Sequence, residues 1–155
     1  MGDSRRIIRS AVITLEIVLK ELRCASIYET EPLYVTDQGR FLNTAVCGFF
    51  PGSEDVVSAK KLLSCVNAIE ARFGRDRKNE RRWGERLLDI DILLFGDLVV
   101  SEDELTIPHP RLNERRFALE PMLELLPDAV EPGTGNSYRN FFEQCIAQKV
   151  DKWVK

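Results

Sequence analysis

Long apolar runs are missing from this 155-residue chain, and no stretch approaches the roughly 20 residues that a membrane-spanning helix needs. Cysteine is sparse and scattered: Cys24, Cys47, Cys65 and Cys145 form no CxxC pair, and His109 is the only histidine. That spacing excludes a Cys/His zinc module. With no signal-peptide pattern, free thiols and a cytoplasmic location are expected. A strong excess of one charge is also lacking, since 22 basic residues face 25 acidic ones for a net charge of −3. No global field advertises nucleic acid or an anionic membrane. Neither a GxxxxGK[ST] loop nor the kinase HRD/DFG set occurs. Repeats, low-complexity tracts and linkers are absent too, so residues 1–155 read as one domain.

What is present is an alternation of helical and extended patterns. Residues 4–23 space Ile7, Ile8, Val12, Leu15, Val18, Leu19 and Leu22 as a helix would, with Asp3 or Ser4 as N-cap. ASIYET reads as extended, EPLYVTDQGR as turn-rich, and FLNTAVCGFF as one strand closed by Pro51-Gly52. A second helix is expected over 54–73, opened by Ser53 or Glu54 and closed by Gly74. LLDIDILLF reads as a strand, with LVV pairing back across Gly96-Asp97 as a hairpin. Short helices follow in the segments after Pro110 and around SYRNFFEQ. The mixture points to an α+β sandwich, with helices packed on a mainly antiparallel sheet.

Asp89 and Asp91 interrupt the apolar run two residues apart, which in a strand places both carboxylates on one face. Two neighbouring acids remain ionised comfortably when a cation shares them, and hard oxygen ligands suit magnesium with substrate phosphates. A plain exposed strand face bearing two acids fits the same pattern. The stretch Arg72–Arg86 holds seven bases, Arg72, Arg75, Arg77, Lys78, Arg81, Arg82 and Arg86, and also Trp83. Guanidinium forks match phosphate oxygens, and an indole offers a surface for a heterocycle. Such a loop also serves as solvated surface or as a nucleic-acid contact. Next to the paired acids it completes the two halves of a phosphoryl-transfer site. His109, held between Pro108 and Pro110 and followed by Arg115 and Arg116, is either structural or part of a phosphate-binding cluster.

In this order the pieces resemble the 6-hydroxymethyl-7,8-dihydropterin pyrophosphokinase family. The resemblance rests on RWGERLLDIDIL at 82–93, on YETEPLYVTDQGRFLNTAV upstream and on LTIPHPRLNERRFAL downstream. It implies a ferredoxin-like sandwich and a transfer of pyrophosphate from ATP to the pterin's hydroxymethyl oxygen, releasing AMP. On these positions, Asp89 and Asp91 would hold two magnesium ions, and Arg75 and Arg86 would neutralise the transferring group. Asn67 (more often Gln in the family), Glu70, Arg77, Trp83, Thr106, His109 and Arg115 would face ATP. Thr30, Leu33, Phe41, Asn43, Trp83 and Phe117 would form the pterin pocket. The family's opening strand, ending in Gly-Ser-Asn, has no counterpart before Met1-Gly2-Asp3, so the natural chain is expected to begin upstream. The expected enzyme is a cytoplasmic monomer acting on two small molecules, with no nucleic-acid or membrane partner. Rival readings are an inactive homologue, another magnesium-dependent nucleotidyltransferase, and an RNA-binding module.

Overall fold

The computed structural model describes residues 2–30, 40–74, 87–145 and 149–153. The first helix, α1 (Gly2–Leu15), is shorter than its periodicity suggests. It starts at Gly2, so Asp3 and Ser4 fall inside its first turn rather than capping it. Beyond Leu15 the apolar spacing continues, but Lys20–Cys24 forms strand β1 instead of a further turn and a half of helix. Val18, Leu19 and Leu22 satisfy either period over so few residues, and pairing with another strand decides the outcome.

That partner is β4 (Val46–Phe49), antiparallel to β1, while β2 (Tyr28–Thr30) pairs with β3 (Phe41–Asn43). FLNTAVCGFF is therefore two strands, not one. Cys24 pairs with Val46 and Tyr28 with Asn43, so one arm takes an extra residue at the bend. The bend is stitched by Ala25 N–H donating to Ala45 O at 2.9 Å and Thr44 Oγ1 donating to Ala25 O at 3.1 Å. A strand that the sequence pattern did not reveal, β7 (Val150–Lys152), adds to the other edge of β2. Its three residues are too few for a readable alternation.

Helix α2 (Val56–Arg72) matches expectation closely, although Asp55 is its N-cap, its side chain accepting from Ser58 N–H at 2.7 Å. Ala59, Leu62, Val66 and Ile69 form its buried stripe, and Gly74 takes the positive φ of +88° expected just past a helix end. The hairpin is displaced from its expected place: β5 (Val100–Glu102) pairs with β6 (Leu105–Ile107), not with the preceding apolar run. At Gly96 (φ +55°) the turn comes against the Glu54 carboxylate, which occupies the space a Cβ would need. Glu54 also accepts from Asp97 N–H, fixing the turn to the start of α2.

Residues 88–95 run extended but are assigned to no strand. The sheet expected as one antiparallel layer is accordingly three small ones among the described residues, ordered β1-β4, β3-β2-β7 and β5-β6. Side chains anchor the 88–95 segment instead. Ile92 and Phe95 pack on buried Ala59, Val100, Leu105 and Ile107. Leu93 and Leu94 pack on Leu112, Leu119, Met122, Leu123 and Tyr138, contributed largely by α3 (Arg116–Leu125) and α4 (Tyr138–Gln144). Each such buried aliphatic or aromatic side chain contributes about 1.5–3 kcal/mol. The architecture is α+β, and no helix among the described residues is long and apolar enough to cross a membrane.

Candidate active site

Although 88–95 lacks a ladder, its alternation survives: Asp89 and Asp91 are exposed while Ile90 and Ile92 turn inward. Both carboxylates thus leave the chain on one side. Two hydrogen bonds straddle Asp91. Ile90 N–H donates to Glu70 Oε1 at 2.8 Å, and His109 N–H donates to Leu93 O at 3.0 Å.

An arginine and an imidazole converge on the second acid. Arg115 Nη1 lies 3.3 Å from Asp91 Oδ2 and 3.3 Å from His109 Nε2, and His109 Nε2 is 3.7 Å from the same carboxylate oxygen. Arg111 N–H approaches His109 Nδ1 at 3.3 Å while Arg115 Nη1, which can only donate, approaches Nε2, so either tautomer of a neutral ring satisfies one of the two contacts. Burial pushes the imidazole below its ordinary pKa, and Arg115 and Arg111 act in the same direction while Asp91 opposes them. A neutral ring at neutral pH therefore offers one N–H donor and one acceptor nitrogen beside the guanidinium. The Arg115 guanidinium also lies over the Phe117 ring, 5.7 Å from its centroid.

These groups open onto a cavity of about 400 Å³. Asp89, Asp91, Thr106, His109 and Arg115 supply its polar wall, and Leu63, Ile92 and Leu105 an apolar one. Asp103 and Glu104, on the hairpin tip between β5 and β6, also line it, as do Ile90 and Pro110, and the two acids were not singled out by sequence. The LVV…LTI spacing around SEDE was the available signal for that tip. Asn67 and Glu70 are not among the described residues that line the cavity. Asn67 is partly buried one turn before Glu70 on α2, and Glu70 is wholly buried.

A second group of expected site residues assembles on the β2–β3 pair. Tyr28 opposes Asn43 and Thr30 opposes Phe41, so all four share one face. Asn43 Nδ2 donates to Thr30 Oγ1 at 2.8 Å; Thr30 is buried and Phe41 exposed. Helix α3, whose first turn carries Phe117, packs on both strands. Tyr28 OH donates to Glu124 Oε2 at 2.6 Å, and Ser26 donates to Glu124 Oε1 through N–H (3.2 Å) and Oγ (2.8 Å). Glu124, absent from the sequence reading, thereby ties the end of α3 to this strand. Leu33, Arg75, Arg77, Lys78, Trp83 and Arg86 lie outside the described residues.

Paired acids, a guanidinium and an imidazole donor around an open cavity, with an apolar wall opposite, define a site suited to a phosphate-bearing ligand with a flat or aliphatic portion. Comparison with known proteins agrees. A family model described as 7,8-dihydro-6-hydroxymethylpterin-pyrophosphokinase matches residues 1–127. A 2-amino-4-hydroxy-6-hydroxymethyldihydropteridine pyrophosphokinase of Bacillus subtilis is 36% identical over 136 residues, 86% of this chain and 77% of its own. The mitochondrial "Folate synthesis bifunctional protein" of Arabidopsis thaliana is 46% identical over 112 residues, 72% of this chain and 19% of its own. The "Folic acid synthesis protein fol1" of Pneumocystis carinii is 33% identical over 151 residues, 97% of this chain and 20% of its own. The chain thus spans about a fifth of the length of these last two relatives. It belongs to the 7,8-dihydro-6-hydroxymethylpterin-pyrophosphokinase family.

Proposed function

We propose that this chain is a single-domain, monomeric, cytoplasmic enzyme that transfers the pyrophosphoryl group of ATP to 6-hydroxymethyl-7,8-dihydropterin, giving AMP and the pterin diphosphate, a step of folate synthesis. The observation that carries this reading is the cluster of Asp91 with Arg115 and His109 on the wall of a cavity that also receives Asp89 and Thr106. Family membership, and the activity for which the Bacillus relative is named, support the choice of reaction.

Two exposed carboxylates on one face fit magnesium, which commonly takes one or two protein carboxylates and fills its octahedron with phosphate oxygens and water. Among the described residues no group of three or more His, Cys, Asp or Glu side chains could hold a metal ion. Asp89 and Asp91 would hold the magnesium, and bound there it would offset charge on the phosphate chain. The remaining work belongs to the protein's own groups. Arg115 supplies a guanidinium fork and the His109 imidazole a hydrogen-bond donor to phosphate oxygens, while Leu63, Ile92 and Leu105 offer a surface for the nucleoside. Thr30, Phe41, Asn43 and Phe117 take the pterin, with Asn43 reading its hydrogen-bonding edge and the rings covering its faces. Arg75, Arg77, Trp83 and Arg86 complete the phosphate-neutralising and stacking set. Positioning and charge neutralisation suffice for such a transfer.

The test is product analysis. Purified protein incubated with magnesium, ATP and the hydroxymethyl-dihydropterin should release AMP and pterin diphosphate in equal amounts. Pyrophosphate release, or AMP formed equally without pterin, would contradict the assignment.

A further inference from the structure

Glu70 stands apart from the other acids of this protein, because its side chain is wholly buried within α2's apolar stripe beside Ile69. A carboxylic side chain is seldom retained in such a place without a partner, since removing it from water is costly. Its Oε1 accepts from the N–H of Ile90, at 2.8 Å, and Ile90 is the residue between Asp89 and Asp91. The peptide chosen matters because 88–95 belongs to no strand, so no described ladder holds the backbone at that point. A second tie among the described residues is His109 N–H to Leu93 O, on the far side of Asp91. One brace comes from α2 and one from the cavity wall, and between them they fix the stretch from which both carboxylates project.

We infer that Glu70 is a positioning residue: its carboxyl oxygen grips the Ile90 amide and thereby sets the spacing and direction of the Asp89 and Asp91 carboxylates toward a shared cation. Its effect runs through the backbone, since Glu70 is not among the described residues that line the cavity. The inference rests on the reading of Asp89 and Asp91 as the magnesium-holding pair. Partners behind metal-binding side chains typically influence affinity about 10- to 100-fold, and a hydrogen bond to the intervening peptide acts at similar remove.

The experiment is calorimetry on the full chain with a non-hydrolysable ATP analogue, titrated with and without magnesium well below the melting temperature. The quantity read is the gain in affinity that magnesium confers. Glu70→Met, similar in length but without a carboxyl acceptor, should reduce that gain about tenfold. Glu70→Gln, which keeps an acceptor oxygen, should restore most of it. A merely structural residue would lower the melting temperature and leave the gain intact. If Glu70→Met does not fold, Glu70→Asp, with the carboxyl withdrawn by one methylene, carries the same comparison. An undiminished gain in the Glu70 variants, together with a lost gain in Asp89→Asn/Asp91→Asn, would overturn the positioning role alone. An undiminished gain in the aspartate double variant would overturn the magnesium-pair reading and this inference with it.

Discussion

Arg115→Ala separates a binding role from a structural one at the centre of the site. In the free protein, Arg115 and Asp91 face each other at 3.3 Å with side chains 25% and 42% exposed. A pair so open to water contributes about 0–1 kcal/mol, so its removal should shift the melting temperature by only a few degrees. Bound polyphosphate changes the accounting, because the guanidinium then donates to an anionic oxygen in a more enclosed setting. Losing a charge-assisted hydrogen bond of that kind costs about 1.5–3 kcal/mol, or roughly 10- to 150-fold in Kd. Arg115→Lys should fall between, since an ammonium keeps the charge but cannot reach Asp91 and His109 together while lying over Phe117. Calorimetry with a non-hydrolysable ATP analogue, run beside thermal melts, reads both quantities. Binding of the analogue by Arg115→Ala within about twofold of the unmodified protein would refute a phosphate-binding role for Arg115, as would a large loss of stability with unchanged affinity.

Two further outcomes are expected. Burial acts to raise the Glu124 carboxyl, but hydrogen bonds from Tyr28 and Ser26 and the charge of Lys152 prevail and hold it below its ordinary value. Its contribution is therefore present above the ordinary carboxylate range and is lost as pH falls through the lowered value; Glu124→Ala should cost about 2 kcal/mol at pH 7, less in acid, by denaturant melts across pH. Asn43→Ala removes the partner of Thr30 and an edge contact for the heterocycle; it should raise KM for the pterin by roughly 10-fold or more while the nucleotide's KM stays put, by steady-state kinetics with each substrate varied.

Much of this was readable in the chain. Helix α2 was legible because seventeen residues repeat one apolar stripe, and its end because Gly74 tolerates a positive φ. Asp89 and Asp91 share a face as their spacing required, even though the strand expected to carry them is not assigned. What period 2 specifies is side-chain alternation; whether a ladder forms depends on neighbours that no local pattern encodes. The same limit explains β1, taken for helix, and the split of FLNTAVCGFF, where an extra residue on one arm bends the pair at Ala25–Ala45. At the site, the sequence offered Arg115 and His109 as candidate phosphate partners, but their convergence on Asp91 needed the fold. Glu70 and Glu124 were the harder cases. Their roles come from partners 20 and 96 or more positions away in sequence, a separation at which composition and spacing are silent.

The central claim is that Asp89 and Asp91 jointly serve the nucleotide's phosphate chain through magnesium. Its most direct test is single-turnover AMP formation by Asp89→Asn/Asp91→Asn over a magnesium titration, with pterin and ATP in excess of their affinities. The expected result is a fall in rate of at least about a hundredfold that added magnesium does not recover, as removal of transition-state charge stabilisation entails. A double variant that turns over within about tenfold of the unmodified protein at saturating magnesium would contradict the account.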